Sequence, residues 1–552
     1  MLSLLSIGLS FTNIAQQFGS PIGTAHRISL VDCNPRTLLP RALSCTTEFI
    51  PSLNNGCADP QESVPLKRLF AFLFLAVVVL LAVLVFRAER LKPAPPVAVT
   101  PAPPIAVDEA GAIQRFAAAI QIPTESREDL TINQQQIGKL RDLFEKSFPR
   151  VHATLTREVL PTGAMIFTWK GKDPAADPVI LMGHMDVVPA DPTTLSRWQH
   201  APYSGDIADG SVWGRGTLDD KSAVLSLLEA AETLLAQGFT PARTVIFAFG
   251  DDEENGGHQG ASNIVKLLQS RGVHAEFVVD EGGAVLHGLI SGMSQPVALI
   301  GISEKGYVDV ALSTTALGGH SSEPPAHTAI GELAAGITRL EKHPFPGSLP
   351  APVEAQVTAL APYMSFSKRL VLANLWLTKP LVIDAGLKDP AMAGGYHTTT
   401  AVDIFNGGIK ANVLPTNAHA TVNFRILPGD TIDSVLAHVR KEVDDPGIKV
   451  ENSNPEWSHN PSPVSPTDTP GFTTLVGTIR EFFPGVVVTP YMVQAATDSQ
   501  YYYAISPNVY RFSPIEGNLS MMGMVHGFNE RMTTASYIHA VQFEAQLLKD
   551  IQ

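Results

Sequence analysis

The stretch LMGHMDVVPA, residues 181–190, closes an apolar run that opens at Val179; such a run stopped by a glycine predicts a buried strand. A histidine and an aspartate, His184 and Asp186, follow at a spacing of two. Further along, RTVIFAFG (residues 243–250) and HAEFVVDEGG (residues 274–283) repeat the pattern, with amphipathic helical stretches between them from about Asp108 onward. Strands and helices in alternation predict an α/β fold with a mainly parallel sheet flanked by helices. Ligands of such sheets gather at the carboxyl ends of the strands, and there the chain places its charges.

Four strand ends carry acidic groups. His184 and Asp186 follow the first, and Asp219 and Asp220 lie in GRGTLDDKSA, before a helix expected from about Lys221. Asp251, Asp252, Glu253 and Glu254 follow a strand over Thr244–Phe249, and Asp280 and Glu281 end a strand over Phe277–Val279. Near the carboxyl terminus, MVHGFNERM supplies His526. Taken singly, an acidic pair after a strand is a helix cap or a solvated turn. Taken together, carboxylates on converging strand ends repel one another unless cations neutralise them. The three cysteines, Cys33, Cys45 and Cys57, all precede this region, so a metal there has imidazole and carboxylate ligands, a set that suits zinc or ions such as Co2+ and Mn2+.

The 552 residues carry a formal net charge of −14, which argues against nucleic acid as a partner, because phosphate binding needs a basic face. Leu69–Phe86 holds neither a charge nor a proline, and its 18 residues would cover roughly 27 Å as a helix, close to the hydrocarbon thickness of a bilayer. A single transmembrane helix is expected, with a cleaved signal peptide as the alternative; no small-x-small cleavage pattern comes directly after it. KPAPPVAVTPAPP (residues 92–104) is too rich in proline to pack and reads as an extended spacer. An amino-terminal anchor with such a spacer commonly carries the rest of its chain across the bilayer, so a membrane-anchored body on the extracytoplasmic side is expected.

The order H-x-D, GRGTLDDK, DEE before a glycine pair, DEG and a late HGFNE resembles the dinuclear zinc peptidase superfamily of aminoacylase, carboxypeptidase S and glutamate carboxypeptidase type. Within it the sequence is most similar to the carboxypeptidase S and N-fatty-acyl-amino-acid hydrolase branch, over roughly residues 109–552. The resemblance implies two Zn2+ ions. Asp219 would bridge them, with His184 and Asp280 completing one site and Glu254 and His526 the other; Glu281 is the alternative to Asp280. Glu253 would be the general base for a metal-bridging hydroxide attacking an amide carbonyl, and Asp186 would fix the tautomer of His184. A cis peptide between Asp219 and Asp220 is implied as well.

In ISEKGYVDVALSTTALGGHSSEPP (residues 302–325), alternation predicts a half-exposed strand, after which His320 stands at a turn. By itself His320 is a surface turn residue; in the resembling family this strand opens a smaller inserted α+β lid and dimerisation domain, whose histidine reaches the substrate's carbonyl oxygen. A second alternating strand within residues 410–430 holds Arg425, read either as a solvated edge arginine or, with Asn412, as a ligand of the substrate's free carboxylate. Asp498 is either a helix cap or a substrate-side residue.

The expected organisation is an extension without assigned role (1–64), a transmembrane helix (69–86), a proline-rich linker (92–107), a catalytic domain in two parts (108–298 and 453–552) and the insertion (299–452). The expected reaction is hydrolysis of an amide beside a free carboxylate, in a small N-acyl amino acid or a short peptide, with reversal conceivable and a homodimer through the insertion possible. A non-catalytic binding protein that kept the fold is the rival reading.

Overall fold

A computed structural model describes residues 66–93, 102–127, 133–290 and 292–552. The extension over 1–64 and residues 94–101 of the proline-rich linker lie outside the described residues. The chain divides into two units, Met1–Ala82 and Val83–Gln552. In the first begins the helix Leu66–Arg90, which is long and apolar enough to cross a membrane or to act as a signal sequence.

The body is built on a ten-stranded sheet. Its centre is β1 (Val179–His184), flanked by β2 (Val245–Gly250) on one side and β3 (Phe277–Asp280) on the other, both parallel to it. All three are buried along their whole length, which explains why they read as continuous apolar runs without alternation. Helices Lys221–Ala236 and Thr534–Asp550 pack together against the sheet, contributing Leu225, Leu228, Tyr537 and Val541 to the largest core.

The sheet is mixed, where a mainly parallel one was expected. Antiparallel pairs occur at Thr156–Val159 with Met165–Trp169, at Met165–Trp169 with β2, and at Val297–Glu304 with Val285–His287 and with Val509–Arg511. For the pair Thr156–Val159 with Met165–Trp169 the reason is connection length, since so short a link permits only a hairpin; the pairs of Met165–Trp169 with β2 and of Val297–Glu304 with Val509–Arg511 join strands far apart in the chain.

A separate four-stranded antiparallel sheet holds β4 (Gly306–Thr315) and β5 (Asn417–Ile426) at its middle. β4 alternates between buried and half-exposed residues, and Val308, Val310 and Leu312 face helices Ala329–Lys342 and Ile432–Val443 across a core of their own. Between the helix Ala329–Lys342 and the edge strand Thr399–Gly407 run three further helices, Ala351–Leu360, α1 (Phe366–Leu372) and α2 (Leu375–Lys388).

Candidate metal centre

The parallel order places the ends of β1, β2 and β3 side by side, so that three loops distant in sequence share one pocket. His184, the last residue of β1, is 1% exposed. Its Nε2 lies 2.9 Å from Asp219 Oδ1, 3.5 Å from Glu281 Oε1 and 3.9 Å from Glu253 Oε2. His526 approaches from the carboxyl-terminal segment, its Nε2 2.9 Å from Asp219 Oδ2 and 3.2 Å from Glu254 Oε2. The two oxygens of one carboxylate, Asp219, thus each face a different imidazole.

Ligand atoms of His184, Asp219 and Glu281 lie within 4.8 Å of one another, as do those of Asp219, Glu254 and His526 and those of His184, Glu253 and Glu254. Asp280 belongs to none of these groups, whereas Glu281, its expected alternative, belongs to one. The side chains of consecutive residues at a strand end point to opposite sides. Asp280 turns to accept the Ser499 backbone N–H at 2.9 Å, and Glu281 takes the side facing His184.

The Nδ1 of His184 is 3.0 Å from the backbone carbonyl of Asp186 and 3.4 Å from its carboxylate. That fully buried carboxylate accepts the backbone N–H groups of Glu253 and Glu254, each at 3.1 Å, and the Ser126 hydroxyl at 2.6 Å. Asp186 therefore clamps the loop after β1 to the turn after β2 and fixes where both glutamates begin.

Glu530 is a residue that the sequence pattern left without a role, although the quoted HGFNE motif contains it. Fully buried, it accepts the N–H groups of Gly216 at 3.0 Å and Leu218 at 2.8 Å and pairs with Arg215 at 2.5 Å. It shapes the loop that delivers Asp219, where a cis peptide joins Asp219 to Asp220. Its signal in the sequence was an unexplained carboxylate four residues past His526 and an unexplained arginine in GRG.

Burial dominates the electrostatics. It raises the pKa of Glu253 and Glu254, and it pushes Glu281 up to about 8 with help from the neighbouring Asp219. His526 is raised to about 10 by its hydrogen bonds to Asp219 and Glu254. Protonated imidazoles thus do what bound cations do, offsetting repulsion between crowded carboxylates. Cations fit this donor set on two grounds: the nitrogen and oxygen atoms already converge, and the buried acids there lack enough protein cations to balance them.

The remaining expected site residues lie on the second sheet region. His320 is exposed, its Nδ1 2.7 Å from the Ser322 hydroxyl, and the backbone carbonyl of Asn412 accepts the Ser321 N–H at 3.3 Å. Arg425, on β5, lies beside Tyr307 of β4, its guanidinium 4.8 Å from the ring centroid. Among the described residues no hydrogen bond or ion pair joins His320, Asn412 or Arg425 to the acidic cluster. Asp498, 3% exposed, caps nothing: Thr497 is the cap of that short helix, and both Asp498 carboxylate oxygens lack a hydrogen-bond partner.

Residues 180–550 match the family model "Peptidase family M20/M25/M40". This chain belongs to that family. The M20 chain is 39% identical over 442 residues to the N-fatty-acyl-amino acid synthase/hydrolase PM20D1 of Xenopus tropicalis, covering 79% of this chain and 85% of that protein. It is 30% identical over 516 residues to carboxypeptidase S of Saccharomyces cerevisiae, covering 84% and 89% of the two chains. Among solved structures, an M20 family metallo-carboxypeptidase from Sulfolobus solfataricus shares the fold at a TM-score of 0.59 and 17% identity, over 79% of this chain and 98% of that one. The M20 chain is accordingly a hydrolase, and the binding-protein reading falls away.

Proposed function

We propose that this M20 hydrolase cleaves the amide bond of an N-acyl amino acid, or of a short peptide, next to a free carboxylate. The observation that carries the reading is Asp219 standing between His184 and His526, with 2.9 Å to each imidazole. His184, Asp219 and Glu281 would hold one divalent cation, and Asp219, Glu254 and His526 a second, zinc being the natural choice for these donors. When bound, such cations supply Lewis acidity that lowers the pKa of water and polarises a carbonyl oxygen.

The chain's own groups supply the rest. Glu253, its pKa raised by burial, accepts a proton from the attacking water and returns it to the leaving nitrogen, so one carboxyl serves as base and then acid. Asp186 holds that glutamate through its backbone N–H. His320 donates to the oxygen on which charge develops, and Arg425 with Asn412 binds the substrate carboxylate through a planar guanidinium and an amide. This assigns the second sheet the role of a lid, which also offers a surface for a homodimer. The helix Leu66–Arg90 anchors the body, on the extracytoplasmic side, to a membrane.

N-acyl amino acids and blocked dipeptides, offered to the purified chain with and without a chelator and with metal analysis of the same sample, test the reading. Hydrolysis lost on chelation and restored by zinc is expected. Hydrolysis indifferent to chelation, or cleavage only of substrates lacking the free carboxylate, would refute it.

A further inference from the structure

The helices α1 and α2 meet at a bend of 113°, and each is too short to cross a bilayer: the 14 residues of α2 cover about 21 Å. Their exposed face is nonetheless apolar over the corner and the first turns of α2, with the exposed Asp384–Lys388 pair, 2.7 Å apart, continuing that side towards the helix end. Phe366 is 43% exposed, Trp376 59%, Leu377 46% and Leu381 57%. Trp376, Leu377, Pro380 and Leu381 fall on one outward stripe of α2, while the opposite face, through Val382, packs into a small core with Leu349, Val353 and Tyr396. Lys368 and Arg369 flank this surface on α1, the guanidinium lying 5.8 Å from the Phe366 ring. An aromatic and aliphatic face with cations at its border is the composition of a helix lying in a membrane interface.

A second observation says what covers it. The last turns of the apolar helix, from Val83 on, belong to the same unit as the body. Asn374, at the corner between α1 and α2, donates through Nδ2 to the Leu84 carbonyl at 3.1 Å, and Arg87 Nε donates to the Ala373 carbonyl at 3.1 Å. Ala88 is fully buried there. The corner is therefore fixed at the very level where the apolar run Leu69–Phe86 gives way to Arg87 and Arg90, the depth of lipid headgroups if that run spans.

We infer that the α1–α2 corner is an interfacial membrane-docking element, seating Phe366, Trp376, Leu377 and Leu381 among lipid headgroups beside the anchor. The inference rests on the anchor reading given above. Its consequence is that this part of the M20 chain lies on the lipid surface itself, where an amphipathic acyl substrate is most concentrated.

The test uses the full chain with Cys33, Cys45 and Cys57 replaced by serine, reconstituted in phosphatidylcholine–phosphatidylserine vesicles. An environment-sensitive fluorophore is placed at Leu377→Cys or Leu381→Cys, and at Ser270→Cys as an exposed reference. Nitroxide carried near the lipid headgroup should quench the first two labels at least about twofold more strongly than the third, as shallow insertion requires. Quenching no greater than at Ser270, in a chain that stays with the vesicles through an alkaline wash, overturns the docking proposal and leaves the anchor standing. Blue-shifted but unquenched emission means that protein, such as a second copy, covers the face, and also overturns it. Release by the wash overturns the anchor; headgroup quenching that persists before the wash then shows docking without it, and no quenching removes both.

Discussion

The acidic cluster at the ends of β1, β2 and β3 and the residues in and beside the second sheet, exposed His320 and half-buried Arg425, are two halves of one proposed site, and they are built on opposite plans. The first is buried and over-determined: His184, Asp186 and Glu530 are at most 1% exposed, and each holds another functional residue in place. The second is open, with the His320 imidazole bonded to Ser322 and Arg425 resting on the Tyr307 ring. The difference teaches a division of labour. Groups that handle a proton or crowd like charges need rigid burial, where electrostatic interactions are strong. Groups that recognise a diffusible substrate must stay accessible until it arrives.

The sharpest way to break this contrast is Glu253→Gln, which should lower kcat by about 10²–10⁴-fold with metal content and fold intact, because it removes a proton acceptor. Loss of metal in that variant would make Glu253 a ligand, a position its grouping with His184 and Glu254 allows geometrically. Next in size, Asp186→Asn should cost about 10–100-fold in metal affinity or activity by loosening the clamp on Glu253 and Glu254. Metal titration alongside kinetics reads both effects.

On the open side, Arg425→Ala should raise KM about 10-fold or more while sparing metal content, in line with losing a charged hydrogen bond of about 1.5–3 kcal/mol. An equal loss for a substrate amide without the carboxylate would detach Arg425 from recognition. The smallest effect concerns stability far from either half. Glu544 is 7% exposed in the helix Thr534–Asp550, and burial pushes its pKa from 4.5 up to about 8. Below pH 4.5 it is protonated folded or unfolded and costs nothing extra; as the pH rises towards 8 the unfolded chain alone releases the proton, so stability falls. Glu544→Gln should therefore raise Tm by a few degrees, about 2–4 °C, at pH 8 and leave it unchanged at pH 4, as followed by thermal unfolding.

Much of the buried half was legible because its requirements are local. Val179–Met182 and Val245–Phe249 announce strands by composition, and a charge directly after such a run has nowhere to go but the sheet's end. The choice between Asp280 and Glu281 was not legible, since it turns on which of two adjacent side chains faces β1, and only the pairing of strands decides that. Glu530 escaped for a related reason: its partners, Arg215 and the N–H groups of Gly216 and Leu218, lie over 300 residues away in sequence. The mixed character of the main sheet likewise depends on which strands become neighbours.

By itself, then, the sequence determined the element types, the apolar helix near the amino terminus and the inventory of acids and imidazoles, because periodicity, hydropathy and donor chemistry are properties of short segments. Tertiary structure alone decided that Asp219 stands between His184 and His526, that Asp186 grips two glutamates, and that the α1–α2 corner meets Leu84. Such meetings are fixed by long-range packing, in which strand order and helix placement minimise exposed apolar surface, and no local pattern encodes the distance between residues hundreds of positions apart.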